Sequence, residues 1–290
     1  MSIRPVKRIV RSQPTMEGAG VHLRRAFGFG NTEEFDPFLL LDDFRGDRPA
    51  DYNAGFPWHP HRGIETITYV LAGTVEHQDS IGNRGVIEAG DIQWMTAGSG
   101  IIHQEMPKGD AAGRMYGFQL WANLPASLKM TAPRYQGVIA ADVPVVNEED
   151  GAQVRIVCGR YKHTKGPVDG VAADPIYLDV SIPAGKSKSL SVEAERNAFA
   201  YVFSGDGEFG DASGHSSSTE ADNHSLVLFG SGDEVRVQSG KDGIRFLLVS
   251  GKPLREPVAW NGPIVMNTQS ELRQAFKELE DGTFLKHKAG

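Results

Sequence analysis

The chain has one cysteine, Cys158, in 290 residues. A lone thiol excludes an internal disulfide framework and leads us to expect a reducing, cytoplasmic setting. Long apolar runs are missing as well. Nothing approaches the roughly 18 consecutive apolar residues of a membrane span. The opening MSIRPVKRIVRSQPTMEG is basic, but it has neither the apolar run nor the small-residue cleavage site of a secretory signal. Positive charge is not in excess: the net charge is −7, which argues against direct nucleic-acid binding and the basic stripe it needs. The cluster Arg4, Lys7, Arg8 and Arg11 reads as a solvated terminus or strand edge. Helical periodicity is scarce too.

What is plentiful is glycine, 34 residues of it. Short β-branched or aromatic segments lie between the glycines: IETITYVLAG, PIYLDVSIPAG, AFAYVFSG, HSLVLFG and IRFLLVSG. That pattern predicts an all-β sandwich or barrel. One helix is expected near the end, in SELRQAFKELEDG, with Ser270 as its cap. Leu272, Phe276 and Leu279 would line one face, and Gly282 would stop it. A smaller helical turn is expected around Ala126–Met130.

The two halves of the chain repeat one another. YVLAGTVE from Tyr69 and YVFSGDGE from Tyr201 are offset by 132 residues. The same offset carries Asp79 onto Asp211, Gly82 onto Gly214, Glu88-Ala89 onto Glu220-Ala221, and Gly98-Ser99-Gly100 onto Gly230-Ser231-Gly232. Glycines at fixed offsets imply recurring turns or close approaches. The expected organisation is two tandem β-barrels, residues 1–138 and 152–290, the latter including the terminal helix. The acidic stretch 139–151 would link them.

Within the first repeat, FPWHPHRG places His59 and His61 two apart, and GIIHQEMP does the same with His103 and Glu105. Residues two apart on a strand share a face. Two such strands would aim three imidazoles and a carboxylate inward. Pro60 would place its strand at a sheet edge or barrel mouth. The repeat acts as an internal control, because the equivalent positions are Ser191, Glu193, Val235 and Val237. All four candidates change together while the turns around them persist. This predicts a metal in the first barrel and none in the second. Such a donor set suits Fe, Mn, Ni, Co, Cu or Zn, and the lack of thiolate disfavours a structural zinc site. An octahedral ion with four protein ligands would keep two positions for substrate and O2, which favours catalysis.

WHPHRGIETITYVLAG, EAGDIQWMTAGSGIIHQEMP and GFQLWANLPASLKMTAPRYQ together resemble the pirin family of the cupin superfamily. The resemblance spans the chain and is strongest over residues 35–137. It implies two tandem cupin (jelly-roll) β-barrels with a short C-terminal helix, and iron, as Fe(II), in the N-terminal barrel. The family's ligands fall on His59, His61, His103 and Glu105. Glu65 stands where a general cupin motif has its glutamate, but in pirin-like proteins the carboxylate comes from the second motif. Glu65 is therefore placed beside the metal shell or on a strand face. Tyr116 stands where some relatives would have histidine, a change expected to alter pocket polarity.

Pirin-like proteins are associated with quercetin 2,3-dioxygenase activity, the opening of a flavonol by O2 with loss of carbon monoxide. In that reading Glu105 is the catalytic base for the 3-hydroxyl proton. The resemblance equally allows a non-enzymatic, iron-dependent redox sensor that binds a transcription regulator or a metabolic enzyme. Another cupin reaction, with the flavonol as a surrogate, also stays open. His77 is either a donor beside the metal or a satisfied strand histidine. Phe56, Gln93, Trp94, Gln119 and Trp121 are pocket or core residues. His215 and His224 fall in or beside a polar hairpin tip and are not expected to bind metal. Cys158 reads as a small buried hydrophobe.

Overall fold

The computed structural model describes residues 2–210 and 218–287, so the tip carrying His215, with repeat positions Asp211 and Gly214, lies outside the described residues. Antiparallel strands dominate, and they form two β-barrel units of jelly-roll type. One unit comprises Pro14–Glu33, Pro37–Asp142 and Leu254–Gly290; the other comprises Met1–Gln13, Glu34–Asp36 and Val143–Pro253. The division differs from the expected boundaries at both chain ends. The strand Val6–Arg11 pairs with Ser225–Phe229 in the second unit, and the last segment joins the first. Pairing of a terminal strand with a distant edge is invisible to a reading made along the chain.

The first unit holds a seven-stranded sheet and a four-stranded one. In the four-stranded sheet the order is Phe56–His61, Ile101–Lys108, Thr74–Asp79 and Arg84–Ile87. The Pro60 strand therefore lies at an edge, as its missing N–H requires. At the centre of the seven-stranded sheet runs Ile64–Ala72, buried without break from Ile64 to Val70. Continuous burial of that kind belongs to a strand covered on both faces.

In the second unit, Asn197–Phe209 and Glu234–Gly251 are long strands paired along much of their length. Its apolar core includes Val154, Val180, Val202, Val235, Val237 and Phe246. The stretch 139–151 is more than a linker. Ala140–Asp142 forms a single 3-10 turn, and Val145–Asn147 pairs with Gln153–Cys158, setting Val146 opposite Val154. Arg4 is buried rather than solvated, donating from Nη1 to the Gly230 carbonyl at 2.8 Å.

The repeated turns are partly alike in detail. Gly73 and Gly205 both sit at positive φ, +77° and +68°. A Cβ there would meet the Lys108 and Gly243 carbonyls at 2.6 and 2.0 Å, so only glycine fits either turn. Gly98 and Gly100 also take positive φ, but Gly230 and Gly232 do not. Those two are instead required for close approach to Pro5 and Arg4.

The terminal helix runs Gln269–Glu280, and Thr268 caps it rather than Ser270. Thr268 stands three residues before Glu271, and their reciprocal bonds form a capping box. Leu272 is buried, Phe276 and Leu279 pack beside it, and Gly282 follows at φ +70°. The expected turn near residue 126 is the 3-10 helix Ala126–Leu128. Among the described residues, no helix is long and apolar enough to cross a membrane.

Candidate metal centre

Strand register assembles the site. On Ile101–Lys108, His103 lies opposite His59 on one side and Asp79 on the other, while Glu105 lies opposite His77. A register shift between His103 and Glu105 sets Glu105 against Phe56, so that Pro57 and Trp58 together oppose Gln104, one extra residue in the edge strand. The imidazole ring centroids are 4.3 Å apart for His59–His103, 4.9 Å for His59–His61 and 5.0 Å for His61–His103. One nitrogen from each of these three lies within 4.8 Å of the others.

Glu105 joins a second group, with His77 and His103, again within 4.8 Å. His103 is thus common to both groups. His59 and His61 fall in the first group and Glu105 in the second, with His77, so that His103 is the link between the expected residues. Glu65 belongs to neither group; its Oε1 accepts from Thr96 at 2.7 Å.

Hydrogen bonds set the imidazole tautomers. A carbonyl only accepts, so Nδ1 of His59 donates to Pro57 at 2.8 Å and Nδ1 of His61 donates to Pro263 at 3.2 Å. With Nδ1 so engaged, Nε2 is the nitrogen each ring has left for a ligand. His103 is fully buried, and neither of its ring nitrogens has a hydrogen-bond partner. Burial, with neighbouring His59, holds His61 well below the ordinary histidine range; burial, then His61, His59 and His77, does the same for His103. Both rings are neutral at physiological pH. A buried, neutral, unpartnered imidazole among others fits a metal ion as the missing partner.

Thr68 Oγ1 lies 3.0 Å from Glu105 Oε1 and 2.6 Å from Gln119 Oε1. His77 is held by Gln93 at Nδ1, 2.8 Å, and faces Asp79 at Nε2, 3.4 Å. It is therefore a satisfied strand histidine and also a neighbour of Glu105. A cavity of about 610 Å3 opens onto His59, His61 and Glu105. Phe56, Gln119 and Trp121 line it as the sequence suggested, whereas Trp94 is core and Gln93 serves His77. Tyr116 is not on the cavity wall; its hydroxyl donates to Asp47, so it does not set the pocket's polarity.

Sequence reasoning missed Trp260, Gly262 and Pro263, which line the cavity from the far end of the chain. The Asn-Gly-Pro in WNGPIVM signals a turn, but nothing local says where the turn docks. It also missed Arg25 and Asp42 on the cavity wall, a bidentate pair at 2.8 and 2.7 Å. Burial raises Asp42 to about 6 despite Arg25. In the second unit, Val235 and Val237 are fully buried in the apolar core, and no metal-binding group occurs there among the described residues. His224 is in neither group, and Cys158 is buried.

Residues 20–122 match the pirin family model, and residues 177–285 match the pirin C-terminal cupin domain. A pirin-like protein of Caulobacter vibrioides is 47% identical over 98% of this chain and 100% of its own length. The chain belongs to the pirin family. Among pirin relatives, a Pseudomonas aeruginosa protein with a provisional quercetin 2,3-dioxygenase name is 39% identical, over 96% of this chain and 97% of its own. A crystal structure of quercetin 2,3-dioxygenase from Acinetobacter baumannii superposes with a TM-score of 0.88 at 29% identity. That match covers 98% of this pirin and 99% of the other chain.

Proposed function

We propose that this pirin is a metal-dependent dioxygenase of the quercetin 2,3-dioxygenase type, acting on a flavonol-like aromatic substrate with O2. His59, His61, His103 and Glu105 would hold the metal, Fe(II) by preference. The observation that carries the reading is His103: fully buried, its two ring nitrogens without partners, inside a ring of imidazoles that have Nε2 left for a ligand. When bound, the metal lowers the pKa of an oxygen it touches and supplies the redox chemistry for O2.

The protein's own residues do the rest. The cavity, walled by Val21, Leu23, Phe44, Trp121 and Trp260, offers a flat aromatic molecule an apolar seat beside Glu105. Glu105 takes the substrate's hydroxyl proton on a carboxylate oxygen. Thr68 has one hydroxyl hydrogen and two acceptors in reach, Glu105 Oε1 and Gln119 Oε1, so it donates to one of them at a time, and its bond to Glu105 orients that carboxylate. His59 and His61 have their Nδ1 atoms engaged by carbonyls, which leaves Nε2 as the nitrogen each would offer the metal.

One feature favours a second reading, a metal-sensing protein that binds a partner without turnover. Trp58 is 49% exposed and sits between Pro57, which anchors His59, and His59 itself. A shift in the ligand strand would reach the surface through it. One assay separates the two. Protein reconstituted anaerobically with Fe(II) is given quercetin and air, and carbon monoxide is measured beside a His59→Ala control. Metal-dependent release lost in the control supports the dioxygenase. No release from iron-loaded protein rejects it in favour of the sensor.

A further inference from the structure

His59 finds the carbonyl for its Nδ1 two residues away, on its own strand, whereas that of His61 comes from 202 residues further along. Ala259–Asn261 and Ile264–Met266 form a hairpin with Asn261 opposite Ile264, which leaves Gly262-Pro263 as a two-residue apex. Such an apex needs positive φ at its first residue, and Gly262 has +53°. Trp260 Nε1 donates to the Gly262 carbonyl at 2.8 Å, bracing the apex from one side. The Pro263 carbonyl beside it receives His61.

The hairpin is pinned along the ligand strand. Val265 donates its N–H to the Arg62 carbonyl at 3.0 Å, and Lys129 Nζ bridges the Val265 and Gly63 carbonyls at 3.0 and 2.8 Å. The approach is so close that a Cβ on Gly63 would lie 1.9 Å from the Val265 oxygen. Arg62 binds the segment a second time, through Glu278 and the Phe284 carbonyl, each at 2.8 Å.

We propose that the Gly262-Pro263 apex is a positioning element of the metal centre, whose carbonyl selects the tautomer and tilt of His61. Metal retention then depends on a hairpin at the other end of the chain. The inference rests on reading His59, His61 and His103 as a metal centre. Its physical basis is that an acceptor on one ring nitrogen leaves the other free to ligate; losing such a partner costs roughly 10–100-fold in metal affinity.

The test uses full-length Gly262→Val. A Cβ at Gly262 meets nothing within 4 Å, so the substitution acts through backbone strain at positive φ and not through a clash. Co(II) affinity is measured by chelator competition. The nitrogen-15 shifts of the His61 ring are read in metal-free protein. Wild-type His61 is expected to carry its hydrogen on Nδ1. In the variant, His61 should become a tautomer mixture and Co(II) affinity should fall roughly 10–100-fold, with His59 unchanged. A folded variant that binds Co(II) like wild type, or keeps the His61 tautomer, overturns the proposal. If the variant does not fold, Trp260→Phe removes the brace and should weaken Co(II) roughly fivefold; no change there overturns it equally. Wild-type protein that binds no Co(II) overturns the metal reading itself.

Discussion

Replacing His103 with leucine should make the metal-free protein more stable and the metal-loaded protein less so. A neutral imidazole has one donor and one acceptor, and in this structure both are buried without partners. Each unmet group costs about 1–3 kcal/mol. Leucine is of similar size and carries no polar atom, so its cost is confined to imperfect packing against His59, His61 and His77. The net expectation in the presence of chelator is a gain of roughly 1–3 kcal/mol. At roughly 2–4 °C per kcal/mol for a chain of this size, the first unit's transition should rise measurably. With metal at a thousand times its dissociation constant, wild type gains about 4.1 kcal/mol, and the variant should gain little. Thermal melts with and without metal would therefore cross over. A His103→Leu protein destabilised by about 3 kcal/mol in chelator would show that the imidazole is there for packing, and the reasoning from its orphaned nitrogens would fail.

Glu105→Gln should keep measurable metal binding and lose carbon monoxide release; full turnover would remove Glu105 as the base. Lys129→Met leaves three oxygens, those of Gly63, Asn123 and Val265, without their donor, and denaturant melts should show a loss of roughly 2–4 kcal/mol. Burial alone would raise Glu278, but hydrogen bonds from Lys286, Arg62 and Gln274 pull it down to about 2 from 4.5. A depressed carboxyl adds stability above its unfolded value and loses it as pH falls. Stability should drop between about pH 4.5 and 2, and Glu278→Gln should flatten that limb of the acid titration.

Much of the centre was legible because strands have a period of two. The pairs His59/His61 and His103/Glu105 needed only that rule, and Val235 and Val237 in the second repeat supplied the control. His77 was harder, since it meets Glu105 only through the register of two neighbouring strands. Pro263 and Trp260 were out of reach, because no local pattern says that a hairpin 202 residues away will dock on His61. The same limit hid the exchanged chain ends. The helix was visible from its apolar spacing, yet its cap was misplaced, because Ser270 lacks the glutamate three residues on that Thr268 has.

That exchange of ends imposes an order on synthesis. The strand Val6–Arg11 leaves the ribosome early, but its partner Ser225–Phe229 follows more than two hundred residues later. At about 5–20 residues per second, it waits unpaired for on the order of 10–40 s. His61 waits nearly as long, since Pro263 follows it by 202 residues. The first unit can gather His59, His61 and His103 before translation ends, but it cannot fix the second ring until the last thirty or so residues emerge. If those histidines hold a metal, an ion captured by the nascent chain would be held loosely and stay exchangeable, and selection among competing ions would fall to the finished protein.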